Sequence, residues 1–135
     1  MSFVLDASVT TAWLFGDEGT SQTEVLLDRL GAEEAVVPSL WAYEIANVLV
    51  IAERRKRITE AQGRQFTRLL SNLPIRVVEA GSAAIWDGAM NAARRYGLTV
   101  YDAAYLDLAM REGLSLATQN KALRAAAKTS GVSLL

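Results

Sequence analysis

The chain has 135 residues, 51% of them hydrophobic, and a formal net charge of −1 at pH 7. This length predicts one domain over residues 1–135, and the apolar share is enough for a substantial core. The chain contains no cysteine and no histidine, which excludes disulfides, zinc–thiolate sites, thiol nucleophiles and histidine general bases. Any acid–base or metal chemistry must therefore use Asp, Glu, Lys, Tyr or water.

The charge balance and the hydropathy also limit the partners of the chain. With a net charge near zero, binding of nucleic acid would require a local basic patch. The most apolar stretch, residues 36–52, contains Pro38, Glu44 and Asn47 and is too short and too polar for a membrane span. The first residues begin a strand and lack the charged and then apolar pattern of a signal peptide. We therefore expect a cytoplasmic protein that does not enter a membrane.

In the first half of the chain, short apolar runs alternate with segments of helical spacing. The predicted elements are a strand at 3–5, a helix at 7–15, a loop at 16–19, a helix from Thr20 or Ser21 to Leu30, a strand at 35–37, a helix at 40–56 and a helix at 59–72. Ser39 is a predicted N-cap and Gly31 a predicted helix stop. Thr59 followed by Gln62 approximates a capping box.

The second half of the chain repeats this alternation. It predicts a strand at 76–78, a helix at 82–96, a helix at 101–112, a strand at 114–117, a helix at 120–129 and an edge strand at 132–135. The helices end at Gly97, Gly113 and near Gly131, where glycine favours termination. Short apolar strands that alternate with helices favour an α/β fold whose parallel sheet is covered on both faces.

An acid or its amide stands at four predicted strand ends or helix starts, namely Asp6, Glu44, Asp102 and Asn120. In open α/β sheets, ligands bind at the carboxyl ends of the strands. Buried ionised groups are usually paired, hydrogen-bonded or bound to a metal, and hard cations such as Mg²⁺ favour oxygen ligands. Taken singly, Asp6, Asp102 and Asn120 are explained equally well as helix N-caps, so the argument for a site depends on their coincidence.

Glu44 is the most informative of the four. It lies four residues from Leu40 and Val48 and seven from Ile51, which places it on the predicted apolar stripe of its own helix. Asn47 projects beside it. Such a pair is either a satisfied polar pair in the core or part of a site, and burial of an unpaired charge is rare enough to favour the site.

Other polar groups are assigned weaker roles. Ser8 and Thr118 place hydroxyls near the same edge, where they could bind a phosphate oxygen or merely cap a helix. Asp107 lies five residues after Asp102, about 140° around the helix, and is predicted to be solvated. Several acids at one edge, with no histidine, suit Mg²⁺ or Mn²⁺ and phosphate chemistry.

Four segments together resemble the PIN-domain family, in particular the VapC-type toxins of bacterial toxin–antitoxin pairs. They are VLDAS at 4–8, YEIANVL at 43–49, YDAAYLDLA at 101–109 and LATQNKAL at 116–123, and both their order and their spacing fit. The resemblance implies a three-layer α/β/α sandwich with a mainly parallel sheet. It also implies Mg²⁺- or Mn²⁺-dependent endonucleolytic cleavage of RNA, a homodimer and a VapB-type antitoxin that blocks the site.

By position, the resemblance assigns metal binding to Asp6, Glu44 and Asp102. The fourth acidic position of the family, normally Asp, falls on Asn120, which keeps an oxygen but loses the negative charge. We therefore expect retained activity with a higher demand for metal. Ser8, Asn47 and Thr118 are the candidates for orienting ligands or binding phosphate.

Three alternatives remain open at this stage. A catalytically impaired PIN module would bind RNA or a partner without efficient cleavage, and Asn120 motivates this reading. An aspartyl-phosphate phosphatase usually has a second Asp two residues after its nucleophile, where this chain has Ser8. A plain structural domain would bind no divalent metal and gain no stability from it.

Basic and aromatic residues suggest further contacts. Residues 54–57 (Arg-Arg-Lys-Arg), Arg64 and Arg68 form either a solvated helix end with surface pairs from Glu53 and Glu60 or a track for RNA phosphates. Arg94, Arg95, Lys121, Arg124 and Lys128 could extend that track. Trp13, Phe15, Trp41, Tyr43 and Trp86 are interpreted mostly as core or interface residues.

Overall fold

The computed structural model describes residues 2–135, in which four parallel strands form one sheet. The strands are β1 (Ser2–Leu5), β2 (Glu34–Pro38), β3 (Ile75–Val78) and β4 (Ser115–Ala117), in the spatial order β3-β2-β1-β4. Phe3 pairs with Ala35 on one side and Ser115 on the other. Because β1 is central, the residue that follows it emerges in the middle of the carboxyl edge of the sheet.

Helices cover both faces of this sheet, which confirms the predicted three-layer α/β/α sandwich. They are α1 (Ala7–Ala12), α2 (Ser21–Arg29), α3 (Leu40–Arg54), α4 (Glu60–Ser71), α5 (Ser82–Ala84), α6 (Met90–Tyr96), α7 (Val100–Glu112) and α8 (Lys121–Ser130). A π-helical turn, Ile85–Ala89, joins α5 to α6 inside the segment predicted as one helix over 82–96. Phe3, Val4 and Leu5 of β1 are almost completely buried, as expected for a central parallel strand.

Most predicted helix boundaries are confirmed by local hydrogen bonds. Thr59 and Gln62 form a reciprocal capping box, with a bond of 3.1 Å from the Gln62 N–H to Thr59 Oγ1. The glycine stops at 97, 113 and 131 all adopt the left-handed conformation that favours glycine. Ser39 was wrongly predicted as a cap, because its backbone is already helical and its side chain accepts no capping bond.

Two further expectations need correction. The segment 132–135 does not form an edge strand; it makes a single parallel bridge between Leu134 and Leu116. The buried face of α3 consists of Trp41, Ile45, Leu49 and Ala52, one residue later than the predicted stripe. Glu44 therefore lies at the boundary between the core and solvent and not at the centre of the buried face. At this boundary its carboxyl group can reach water.

The described part of the chain contains no helix that is long and apolar enough to cross a membrane.

Candidate active site at the carboxyl edge of the sheet

Asp6 occupies the centre of the candidate site. It directly follows β1 and stands at the N-cap position of α1, yet its side chain makes no capping hydrogen bond. Its carboxylate accepts bonds at Oδ2 from the Ser8 hydroxyl at 2.9 Å and from the Thr118 hydroxyl at 2.5 Å. Only 5% of Asp6 is exposed. A buried carboxylate that does not cap its helix is available for another task.

The two hydroxyls that hold Asp6 are themselves oriented by the backbone after β4. Ser8 Oγ accepts from the Gln119 N–H at 3.0 Å, and Thr118 Oγ1 accepts from the Asn120 N–H at 3.0 Å. Each hydroxyl that accepts from an amide is left to donate its own hydrogen to Asp6. Oδ1 of Asp6 accepts no bond from the described residues. Since no buried side-chain polar atom among them lacks a partner, Oδ1 is open to solvent.

Glu44 reaches the site from the second turn of α3. Its Oε1 accepts a bond of 2.5 Å from the hydroxyl of Tyr105 on α7. Removal from water raises the pKa of Glu44, the Tyr105 bond opposes this rise, and the negative charges of Asp6 and Asp102 add to it. Burial and the bond to Glu44 raise the pKa of Tyr105 well above its ordinary value, so the phenol remains a donor.

Asp102 is the third carboxylate of the group. The capping residue of α7 is Thr99, whose Oγ1 accepts from the Asp102 N–H at 3.1 Å. Asp102 therefore does not cap the helix. Burial raises the pKa of Asp102, the negative charge of Asp6 adds to the rise, and the Thr99 hydroxyl opposes it by interacting with the Asp102 side chain. The negative charge of Asp6 acts on both Glu44 and Asp102, and that of Asp102 acts on Glu44, so the three carboxylates are electrostatic neighbours.

Within the described residues, none of these three acids forms an ion pair. The six ion pairs formed within residues 2–135 all use other acids. Three buried or half-buried carboxylates without a basic partner are expensive for a fold. Groups of this kind are concentrated at functional sites, where a cationic ligand or substrate compensates them.

The donor set fits a hard divalent cation. Oxygen is the donor on all three side chains, and the chain has neither the thiolate nor the imidazole that zinc prefers. Within residues 2–135, no three acidic side chains come close enough together to hold a single ion. This arrangement suits Mg²⁺, which commonly binds one or two carboxylates and keeps several waters. Direct coordination by Asp6, Glu44 and Asp102 together stays a prediction.

Comparison with protein families matches residues 3–129 to the PIN domain. The chain belongs to the PIN domain family. It is 32% identical over 123 residues to Ribonuclease VapC3 of Pyrobaculum aerophilum, an alignment that covers 91% of this chain and 92% of that protein. The family assignment confirms the resemblance drawn from the four sequence segments.

Two solved structures share the fold of this PIN domain. PAE2754 from Pyrobaculum aerophilum has a TM-score of 0.68 at 26% identity, with 93% of this chain and 79% of that chain covered. A toxin–antitoxin complex from Klebsiella pneumoniae contains a chain with a TM-score of 0.63 at 19% identity, with 87% and 86% covered. The second likeness concerns the fold alone.

The remaining predicted site residues of the PIN domain separate into two kinds. Asn120 is the N-cap of α8, and its Oδ1 accepts from the Leu123 N–H at 3.0 Å. Its side-chain oxygen is thus already used by the helix, in contrast to the carboxylates of Asp6 and Asp102, which cap no helix. Asn47 is exposed on α3, and its side chain forms no hydrogen bond among the described residues. Ser8 and Thr118 directly contact Asp6.

Tyr105 is a residue that the sequence reasoning missed. It is completely buried, and its contact with Glu44 joins α7 to α3. Its spacing of three residues from Asp102 places both on one side of α7, which is a signal that could have identified it. Thr10 and Trp41 reinforce the same geometry, because Trp41 Nε1 donates to Thr10 Oγ1 at 3.0 Å and so joins α3 to α1.

Two charge predictions outside the site were wrong. Asp107 is not solvated, since its side chain is only 15% exposed and pairs with Arg111 at 2.9 Å. Arg57 does not pair with Glu53; it binds Asp17 at 2.7 Å and stacks on the ring of Phe15. The predicted Glu60–Arg64 pair does form.

The aromatic residues are more exposed than predicted. Phe15 and Trp41 are buried, but Tyr43 and Trp86 are 81% and 61% exposed. Tyr101 is 68% exposed. Tyr43 and Trp86 are therefore not core residues. Exposed aromatic residues are enriched at protein interfaces, and an interface role for these two stays a prediction.

Proposed function

We propose that this PIN domain is a Mg²⁺- or Mn²⁺-dependent endoribonuclease that acts as the toxin of a toxin–antitoxin pair. The observation that carries the proposal is the group of three neighbouring carboxylates at the carboxyl edge of the sheet, none of which forms an ion pair with the part of the chain that the structure describes. The relative from Pyrobaculum aerophilum, named a ribonuclease, supports the choice of RNA as the substrate.

In this proposal, Asp6, Glu44 and Asp102 hold the metal together, one or two of them by direct contact and the remainder through bound water, and the substrate phosphate is a further ligand. A Mg²⁺ or Mn²⁺ ion at this edge would supply activation of water and neutralisation of phosphate charge. Ser8 and Thr118 fix Oδ2 of Asp6 and thereby direct its open Oδ1 outward. Tyr105 fixes Glu44 in the same way. Residues held like this are pre-organised, so little reorganisation is needed when substrate binds.

The first experiment is cleavage of a structured RNA pool by the purified protein with Mg²⁺, Mn²⁺ or EDTA. Asp6→Asn is the test variant and Asp28→Asn, an exposed residue on α2, is the matched control. We expect metal-dependent cleavage that Asp6→Asn abolishes and Asp28→Asn retains. Cleavage that persists in EDTA, or in Asp6→Asn, would contradict the assignment of the site.

Metal binding can be tested without any RNA. A ligand that binds only the folded state stabilises it, by about 2.7 kcal/mol at a hundred times its Kd. We expect Mg²⁺ to raise the melting temperature of the natural protein and not that of Asp6→Asn. Equal shifts in both proteins would assign the metal to another place, and no shift would favour the plain structural domain.

A second candidate function is an impaired PIN module that binds RNA or a partner without efficient cleavage. It is favoured by Asn120, which is neutral and already engaged as the cap of α8. Folded, metal-loaded protein that binds RNA without cutting it would favour this candidate over the ribonuclease. A gain of strong cleavage in Asn120→Asp would point the same way for the natural chain.

The proposed partner is a VapB-type antitoxin, in keeping with the complex from Klebsiella pneumoniae. A cavity of about 720 Å³ forms an apolar groove between α2 and α4, and its lining includes Leu27, Phe66 and Leu69. Such a groove suits the apolar face of a helix. Co-expression with a candidate antitoxin should inhibit cleavage, and Leu69→Asp should weaken the complex while cleavage by the free protein persists.

A homodimer is also proposed, as the resemblance implied. Ile85, Val100 and Tyr101 are exposed around one groove of about 220 Å³, and such patches mark interaction sites. Light scattering should give a dimer mass for the natural protein and a monomer mass for Tyr101→Glu. A monomeric natural protein would contradict this part of the proposal.

A further inference from the structure

Arg124 has an unusual position among the arginines of this domain. Five arginines form ion pairs with acids: Arg29, Arg57, Arg64, Arg76 and Arg111. Arg124 forms none within the described chain, although it is partly buried in the first turns of α8. Its Nη1 instead donates to the backbone carbonyl of Thr118 at 3.0 Å. A partly buried guanidinium that lacks an acidic partner is a candidate to bind an anion.

This contact places Arg124 beside the candidate active site. Thr118 uses its carbonyl for Arg124 and its hydroxyl for Oδ2 of Asp6, at 3.0 Å and 2.5 Å respectively. Both bonds are made by atoms of the same residue, Thr118. The guanidinium therefore lies within about 10 Å of the Asp6 carboxylate. The two groups are therefore close enough to contact the same extended ligand.

Within residues 2–135, no Asp or Glu side chain lines the cavity beside Arg124. It lines a cavity of about 370 Å³ between the start of α2 and the start of α8. Arg124 is the one charged side chain among the described residues that line this cavity, and the polar remainder includes Ser21, Gln22 and Gln119. Guanidinium has five N–H donors, and Thr118 engages one of its nitrogens. An anionic oxygen that enters this cavity would meet a cation and uncharged donors.

We propose that Arg124 binds a phosphate of the RNA strand. This phosphate is adjacent to the one that is cleaved at the site of Asp6, Glu44 and Asp102. The inference rests on the proposed ribonuclease function. It gives the substrate a direction across the surface, from the carboxylates over Thr118 into the cavity beside α2. Because phosphate contacts position a strand without reading its sequence, Arg124 would contribute affinity and register rather than base specificity.

The test is binding of a fluorescein-labelled single-stranded RNA of mixed sequence, followed by anisotropy with Mg²⁺ over a series of salt concentrations. All proteins carry Asp6→Asn, which prevents cleavage. Arg124→Met and Arg124→Lys are compared with Arg55→Met, an exposed arginine at the far end of α3. Melting curves establish that each variant is folded.

Loss of one phosphate contact on single-stranded RNA changes the slope of log K against log salt by about 0.7. We therefore expect Arg124→Met to bind about eightfold more weakly at about 50 mM salt and about fourfold more weakly at about 150 mM. Arg124→Lys should recover part of the affinity because it keeps the charge, and Arg55→Met should match the parent.

Three outcomes would overturn the inference. An unchanged salt slope in Arg124→Met, with RNA binding intact, would leave the ribonuclease proposal standing and remove the phosphate contact. Equal losses in Arg124→Met and Arg55→Met would show a general charge effect instead of a site. No RNA binding by the parent protein would contradict the ribonuclease function and this inference together.

Discussion

The two ends of helix α3 carry opposite charges and differ in burial, because the acidic end is half-buried and the basic end is exposed. Near its start, Glu44 is half-buried beside Asp6 and Asp102, and none of the three acids forms an ion pair within residues 2–135. Past its other end, Arg57 is exposed, pairs with Asp17 and stacks on Phe15. Arg54 lies ten residues beyond Glu44, which is about 15 Å along the helix axis.

The difference shows that charge alone does not identify a functional surface. The basic end has more charged residues, in the run at 54–57. Its charges are hydrated or paired, so they reduce the stability of the fold very little. The acidic end has fewer charges, but they are partly buried, and the negative charge of Asp6 raises the pKa of both Glu44 and Asp102. The feature that identifies the acidic end as the site is the burial of carboxylates that form no ion pair within the described residues.

The largest effect is expected at Glu44 itself. Glu44→Gln removes the negative charge but keeps an oxygen that can accept from Tyr105. We expect the rate of RNA cleavage to fall by about 10²–10³, a typical loss for a group that stabilises charge in a reaction. Glu24→Gln, an exposed change on α2, is the control. A rate within about twofold of the natural protein would remove Glu44 from the site.

A smaller loss is expected when the support of Glu44 is removed. Tyr105→Phe deletes the hydroxyl that donates to Oε1 while the buried ring stays. Removing such an outer partner typically costs about 10–100-fold in metal affinity or activity, and one hydrogen bond contributes about 1 kcal/mol to stability. The measurements are the Mg²⁺ dependence of cleavage and the free energy of unfolding.

Tyr101→Phe provides a matched control on the same helix, because Tyr101 is exposed and makes no hydrogen bond to an acid of the site. Tyr101→Phe should change neither the Mg²⁺ dependence of cleavage nor the free energy of unfolding. If Tyr105→Phe lowers stability but leaves the Mg²⁺ dependence unchanged, Tyr105 is a core residue and does not position Glu44.

Asn120→Asp should produce a still smaller change, in the opposite direction. It restores a negative charge at the edge, so we expect half-maximal cleavage at about three- to tenfold lower Mg²⁺. Asp and Asn cap helices about equally well, so the melting temperature without metal should barely change. Asn72→Asp, at the end of α4, adds the same charge elsewhere. A response to Mg²⁺ equal to that of Asn72→Asp would contradict a role for position 120.

The sequence allowed the elements of the fold to be predicted well because their signals are local. Capping at Thr59 and the stop at Gly113 depend on a few neighbouring residues, and both were confirmed. The buried face of α3 was displaced by one residue, because apolar side chains occur all around that helix. Which of them faces the sheet is decided by packing against distant residues.

The candidate site shows the same division between local and distant information. The sequence brought Asp6, Asp102 and Asn120 forward as equal candidates, since all three can cap a helix. Only the three-dimensional contacts separate them, because Thr99 caps α7 in place of Asp102 while Asn120 does cap α8. Tyr105 was missed because its partner Glu44 is 61 residues away in the chain.

The smallest effect is expected at the basic end of α3. The double substitution Arg54→Met and Arg55→Met removes two exposed arginines that form no ion pair among the described residues. Since they lie at the opposite end of the helix from Glu44, cleavage at about 0.15 M salt should stay within about twofold, because exposed charges beyond a Debye length are largely screened. A loss of about tenfold in kcat/KM that comes from a higher KM would mean that RNA extends along α3 to this end. The contrast between the two ends would then describe two parts of one substrate path, with the acids acting on the strand and the arginines holding it.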